Sequence, residues 1–162
     1  MKQATFLPLV LAILLANFVT ACGDSDRMSK EKVDAFQDAF VAADLGFPKS
    51  QYNLGLFYDN GIGVEKNQAR AVYWYGKAAQ QGIAEAQHNL ACHLEIGEGV
   101  LKDQIEAYAY FNLAGIRLEA SRKSRDKLEG EMSPEAVLRG QQRSKELHKE
   151  IAAKIAAEKA AK

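Results

Sequence analysis

One repeated segment constrains the fold of this chain. Residues 50–68 return as residues 86–104, at a spacing of 36. The identical pairs include Gln51 and Gln87, Asn53 and Asn89, Leu54 and Leu90, Gly61 and Gly97, and Gly63 and Gly99. A repeat of this length is one supersecondary unit that cannot bury its own apolar face. The chain must therefore stack such units side by side.

Each unit is predicted to start with a helix that ends at a glycine turn. Its buried stripe follows the i, i+4, i+8 pattern, given by Ser50, Leu54 and Tyr58 and by their copies Ala86, Leu90 and Leu94. Two glycines then follow in each unit, Gly61 with Gly63 and Gly97 with Gly99. Glycine adopts the positive φ angles that a tight reversal needs.

A second helix is predicted after each turn. Asn67 and Asp103 stand at its start as capping residues, and Asp103 with Glu106 has the form of a capping box. Small and aromatic residues alternate on its buried side, at Ala71, Trp74, Tyr75 and Ala78 and at their copies Ala107, Tyr110, Phe111 and Ala114. Alanines let helices approach closely while rings fill the gaps. The pattern predicts an all-α solenoid of helix pairs.

The motifs at 53–55 (AsnLeuGly), 61–64 (GlyIleGlyVal) and 71–82 resemble the Sel-one-like repeat (SLR) family, relatives of the tetratricopeptide repeats. The resemblance covers about residues 35–145. The second copy departs from the pattern at Ala91, Cys92 and Gly115. The resemblance implies a short α-solenoid with a protein-binding role.

Further helices are predicted on both sides of the two units. Residues 29–45 fit the second helix of a degenerate capping repeat, because Ala35, Ala42, Ala43 and Gly46 align at the same spacing of 36. Its expected apolar stripe is Val33, Phe36 and Phe40. Ser121–Leu128 forms another predicted helix. Ser133 and Pro134 then signal a last helix, with an apolar seam at Leu138, Leu147, Ile151 and Ile155.

The N-terminus is predicted to be an export signal. Lys2 precedes an apolar run over 6–16, which is short for a bilayer crossing. ValThrAlaCys at 19–22 resembles the bacterial lipobox, which implies a signal peptide over 1–21 and palmitate-type lipidation of Cys22. Because Gly23 follows the cysteine, the resemblance favours the periplasmic side of the outer membrane over the inner membrane. Ordinary secretion after residue 21 is the alternative.

The predicted organisation is a tether over 22–28, a solenoid over 29–130 and a C-terminal capping helix with a charged tail over 131–162. Residues 23–116 carry 8 basic and 13 acidic side chains, a net charge of −5, whereas 117–162 carry 12 and 8, a net charge of +4. An acidic body argues against a nucleic-acid partner. The basic end is compatible with contact to anionic headgroups, but a solvated helix face is the favoured explanation.

The sequence offers little evidence for catalysis or metal binding. His88 and Cys92 have a metal-ligand spacing of i, i+4, but unit one has Tyr52 and Leu56 there, which favours ordinary packing residues. SxxK occurs at 29–32 and 124–127 without the further motifs of the β-lactam enzymes. Disulfide-rich SLR proteins have been linked to β-lactam binding, but this chain lacks their cysteine pairs. We expect no catalytic residue, no metal site and no cofactor.

A peptide-binding groove is the remaining hypothesis. The resemblance implies that the first helices line the concave side, where we place Asn53, Phe57, Asn89 and His93. Amides that donate and accept suit a peptide backbone, and rings suit its side chains. The alternative is that Phe57 merely closes the interface between units. The predicted function is a lipid-anchored periplasmic adaptor for a protein or peptide. An envelope enzyme of the β-lactam type and a passive peptidoglycan-associated lipoprotein are the alternatives.

Overall fold

The computed structural model describes residues 29–161, which form seven helices and no strand. Helix α1 spans 29–44. The others are α2 (Pro48–Asn60), α3 (Gln68–Ala79), α4 (Ala84–Ile96), α5 (Gln104–Ala114), α6 (Glu119–Glu129) and α7 (Pro134–Ala160). The all-α solenoid prediction is confirmed. Cys22, the predicted signal peptide and the predicted tether lie outside the described residues.

Successive helices pack on each other from α2 to α6, which is the arrangement expected of stacked helix pairs. The first helices of the units, α2, α4 and α6, lie side by side. Asp59 of α2 reaches His93 of α4, and His88 of α4 reaches Ser121 of α6. The second helices, α1, α3 and α5, lie behind them, and α7 packs against α5.

The spacing of 36 is visible in individual hydrogen bonds. The buried Gln51 amide donates to the Ala43 carbonyl at 3.2 Å, and Gln87 donates to Ala79 at the same distance. Ala43 at the end of α1 therefore occupies the position that Ala79 has in α3. Helix α1 is the second helix of an incomplete unit, as the alignment of alanines predicted.

The turns also match the predictions. Gly61 and Gly97 end the first helices in the left-handed conformation, with φ of 67° and 83°. The Asn67 side chain accepts a hydrogen bond from the backbone N–H of Arg70, and Asp103 caps α5 in the same way. These caps satisfy backbone donors that a helix start leaves free.

The predicted capping box is only half present. The Asp103 side chain accepts from the N–H groups of Ile105 and Glu106. The reciprocal bond is missing because the Asp103 N–H donates to the Leu94 carbonyl, at 2.9 Å. The Glu106 carboxylate instead accepts two hydrogen bonds from Arg143 of α7, at 2.8 and 3.2 Å. An ion pair with a distant residue takes the place of the local hydrogen bond.

A single core runs through the units and contains most of the predicted residues. Leu54, Ala71, Tyr75, Ala78, Ala107, Phe111 and Ala114 have no exposed surface. Ser50 and Trp74 are only half-buried, so their predicted burial is partly wrong. On α1 only Phe36 of the predicted stripe is buried, whereas Val33 and Phe40 are exposed by 43% and 40%. No first helix precedes α1 within the described residues to cover them.

Helix α7 packs through small residues together with most of the predicted seam. Gly140 lies against the Tyr108 ring, and Gly140 and Ser144 are buried beside Leu147. Ile151 and Ile155 are half-buried as part of this contact, but Leu138 is 67% exposed and its predicted place is wrong. Leu147 belongs to the same core as the two units.

Among the described helices, none is long and apolar enough to span a membrane.

Candidate protein-binding site

The outward side chains of α2 and α4 form a continuous surface, which we call the first-helix face. It consists of the exposed or half-buried residues Tyr52, Asn53, Leu56, Glu85, His88, Asn89, Cys92 and Glu95. These residues repeat at i, i+3 and i+4, so they share one side of each helix. The repeat spacing brings equivalent positions of the two helices next to each other.

The four residues predicted to form a groove divide into two pairs. Asn53 is exposed, and Asn89 is half-buried. Phe57 is half-buried and meets the Phe36 ring of α1 edge-on, with centroids 6.3 Å apart. His93 is buried, with 6% of its surface exposed. The two asparagines therefore lie on the first-helix face, and the two rings pack between units. The peptide groove itself stays a prediction.

Asp59 joins three helices behind this face. The Tyr75 hydroxyl of α3 donates to Asp59 Oδ2 at 3.1 Å, and Nε2 of His93 lies 3.5 Å from Asp59 Oδ1. Nδ1 of the same ring is 2.8 Å from the Glu98 carbonyl oxygen. Burial raises the pKa of Tyr75, because the phenolate would lose its hydration. This network fixes the relative positions of α2, α3 and α4.

His88 has a serine partner, but the pair has no access to a substrate. Nδ1 of His88 lies 2.8 Å from Ser121 Oγ, a distance that a nucleophile and its base would need. Ser121 is fully buried, however, and burial lowers the pKa of His88. The contact joins α4 to α6 as a structural link.

Cys92 lies one helical turn after His88 on α4, and it forms neither a metal site nor a reactive thiol. Its sulfur lies 3.7 Å from Nε2 of His88. Burial, with help from the charge of Glu95, raises the pKa of the Cys92 thiol to about 11, so the thiol stays protonated at neutral pH. No cluster of three metal-ligating side chains occurs between residues 29 and 161. Of the SxxK lysines, Lys127 lies 4.0 Å from the Glu131 carboxylate.

The first-helix face has a negative electrostatic character. Burial and then the charge of Glu85 raise the pKa of the Tyr52 hydroxyl. Helix α4 contains two glutamates and neither lysine nor arginine. Sequence reasoning missed Tyr52, Glu85 and Glu95 as members of this face. Glu85 stands one helical turn before Asn89, a spacing that could have revealed it, whereas Tyr52 and Glu95 stand one and six residues from the nearest of the two asparagines.

Comparisons with known proteins agree with this architecture. The Sel1 repeat family model matches residues 48–83 and 84–115, which contain α2 with α3 and α4 with α5. The chain is 44% identical over 57 residues to the chitin synthase regulator SKT5 of Saccharomyces cerevisiae, a match that covers 35% of this chain and 8% of that protein.

Two solved structures are similar over longer stretches. One is c5321, a protective antigen of uropathogenic Escherichia coli with an SLR fold (TM-score 0.71, 27% identity, 83% of this chain and 29% of that one). The other is a Sel1 repeat protein from Oxalobacter formigenes (TM-score 0.54, 33% identity, 55% of this chain and 68% of that one). The chain thus spans less than a third of c5321 and under a tenth of SKT5. On the family match, the repeat geometry and the Oxalobacter structure together, the chain belongs to the Sel1 repeat family.

Proposed function

We propose that this Sel1 repeat protein is an adaptor that binds an extended polypeptide across its first-helix face. One observation carries the proposal: Asn53 and Asn89 occupy equivalent positions on two neighbouring helices of that face. Packed helices lie about 10 Å apart, and an extended chain rises about 3.3 Å per residue. The two amides would therefore meet backbone groups about three residues apart.

The charge of the face indicates what kind of polypeptide fits. Glu85 and Glu95 border the two ends of the α4 stripe. Acidic groups without basic neighbours on α4 favour a ligand that carries lysine or arginine. We therefore propose a basic, extended segment of a protein partner as the ligand.

Photo-crosslinking tests this proposal. A photoreactive amino acid at position 53 should give adducts with a protein partner in intact cells. The same group at position 73, where Tyr73 is 55% exposed on the second helix, is the matched control. We expect the adducts at position 53 to fall at least about tenfold when Glu85 and Glu95 are both changed to glutamine, because the charge attraction is lost. An equal yield of adducts from both positions would refute the first-helix face as the binding site. So would a yield at position 53 that stays the same when Glu85 and Glu95 are changed.

We also propose that the adaptor is lipid-anchored through Cys22 on the periplasmic side of the outer membrane. The support is the lipobox-like sequence at 19–22 after an apolar run. A protein with two or three acyl groups stays bound to the membrane, since each buried methylene contributes about 0.8 kcal/mol to membrane binding. We expect wild-type protein to incorporate an alkyne-labelled palmitate and to sediment with outer membranes, and Cys22→Ser to do neither. Palmitate label on the Cys22→Ser protein, or its absence from the wild-type protein, would refute lipid anchoring through Cys22.

A further inference from the structure

Two adjoining cavities form a groove along α7. One, of about 600 Å³, lies between the middle of α7, the end of α5 and Arg125. The other, of about 400 Å³, lies between the following turns of α7 and the loop at 81–84. Leu113, Ile116 and His148 line both cavities, so the two are continuous. We call this surface, between residues 142 and 155 of α7, the α7 groove.

The α7 groove has an apolar floor and a cationic rim. Its apolar residues are Ile83, Ala84, Leu113, Ile116, Ile151 and Ile155. Its basic residues are Arg117, Arg125, Lys145 and Lys149, against a single acid, Glu146. Ile116 is 70% exposed in this setting. The cations concentrate at the end near Lys145, and the isoleucines at the end near Ile155. Such a surface suits an acidic, amphipathic helix.

Helix α1 has the opposite character on its outer face. Asp34, Asp38, Val41 and Leu45 follow one another at i, i+4, i+7 and i+11, so they share one side of the helix. Val41 and Leu45 are 59% and 72% exposed. Residues 33–47 contain three aspartates and neither lysine nor arginine. Lys30 stands one turn before Asp34, so the outer face of α1 carries one lysine at its start, two aspartates in its middle and apolar residues at its end.

Within residues 29–161, no helix covers α1 in the way that α2 covers α3. Ala71 of α3, which lies under α2, has no exposed surface. Ala35, its counterpart in α1 at the spacing of 36, is exposed. Ala35 directly follows Asp34 and faces about 100° away from it around the helix, so this uncovered side adjoins the outer face of α1 and is separate from it.

The two surfaces match in length and in polarity. Residues 34–45 of a helix span about 17 Å, and residues 142–155 span about 20 Å, at 1.5 Å per residue. If α1 lies parallel to α7, Asp34 and Asp38 meet the cationic end of the groove and Leu45 meets its isoleucines. We propose that α1 of one copy docks in the α7 groove of a second copy, so that the chain associates head to tail. This contact joins two different patches, and its repetition adds further copies.

Charge reversal at either end tests the contact, with the full chain purified in a mild detergent. One variant carries Asp34→Lys and Asp38→Lys, and the other carries Lys145→Glu and Lys149→Glu. Sedimentation velocity should show wild-type species that grow with concentration. Each variant alone should associate at least about tenfold more weakly, since it places like charges opposite each other. A mixture of the two variants should recover growth with the two kinds of chain alternating, because each contact then joins opposite charges: the unchanged α1 face with the unchanged groove, and the reversed α1 face with the reversed groove. Combining all four changes in one chain should restore growth.

Two controls separate this contact from other effects. All variants share the same N-terminal segment, so association through that segment would be equal in all of them. Lys77→Glu, on an exposed site of α3, should leave association unchanged. If a charge variant loses its helical circular dichroism, Leu45→Ser replaces it. This variant tests the apolar end of the α1 face without reversing a charge. A wild-type chain that stays monomeric, association that both charge variants retain, or a monomer that instead sediments with anionic vesicles would each overturn the proposal.

Discussion

Replacing Gly63 by valine is expected to lower the free energy of unfolding by about 3 kcal/mol. Gly63 has a φ of +69°, which a β-branched residue resists. A Cβ at this position would also collide with the backbone carbonyl of Lys32 in α1. Backbone cannot move aside as a side-chain end can, so α1 would separate from the first turn. A fall in melting temperature of about 10 °C is the expected measurement.

Gly46→Val is the matched control for this effect. Gly46 also has a positive φ, of +91°, but a Cβ there meets nothing within 4 Å. It should therefore show only the backbone strain, about 1 kcal/mol. Equal losses at Gly46 and Gly63 would mean that the turn does not press against α1.

A second pair of glycine substitutions is expected to have opposite signs. Gly55→Ala should destabilise the chain by about 2 kcal/mol, because the new methyl would lie 2.5 Å from the Tyr75 ring. That ring cannot retreat, since it is fully buried and its hydroxyl is bonded to Asp59. Gly76→Ala on α3 meets no atom within 4 Å, and should stabilise by up to about 1 kcal/mol through helix propensity alone.

Urea unfolding of the two alanine variants measures this difference directly. A shift of the midpoint in the same direction for Gly55→Ala and Gly76→Ala would contradict the close approach of α2 to α3. An unchanged slope with urea would show that both variants change the free energy of unfolding without changing the surface that unfolding exposes.

The repeat made much of this fold predictable. Because Ala43 and Ala79 align in the sequence, the position of α1 followed from that of α3. The turn glycines and the caps at Asn67 and Asp103 depend on local chemistry, which the sequence records within a few residues. Such features do not require knowledge of distant contacts.

Contacts outside the repeat were not predictable in the same way. Helix α7 has no copy in the chain, so its buried side had to be inferred from apolar residues alone. That reasoning selected Leu138, whereas the actual contact uses the small residues Gly140 and Ser144, which let α7 approach Tyr108 closely. The Glu106–Arg143 pair joins residues 37 apart, and only tertiary structure brings them together.

The candidate site was predicted in part. Asn53 and Asn89 were found because they recur, and both lie on the first-helix face. His93 was placed beside them because it copies Phe57, but the sequence could not show that both rings turn toward the preceding unit. Burial between units depends on how far one helix rotates against the next, and a pattern of identities does not encode that rotation.

The central claim is that the helix pairs share one core and do not fold independently, and equilibrium urea unfolding followed by two signals tests it most directly. Trp74 is the only tryptophan in the chain and reports on unit one, where its ring meets Phe40. Far-ultraviolet circular dichroism reports on all helices together. We expect both signals to change in a single transition with the same midpoint. A tryptophan transition that separates clearly from the loss of helix would show that the units are independent and would contradict the account.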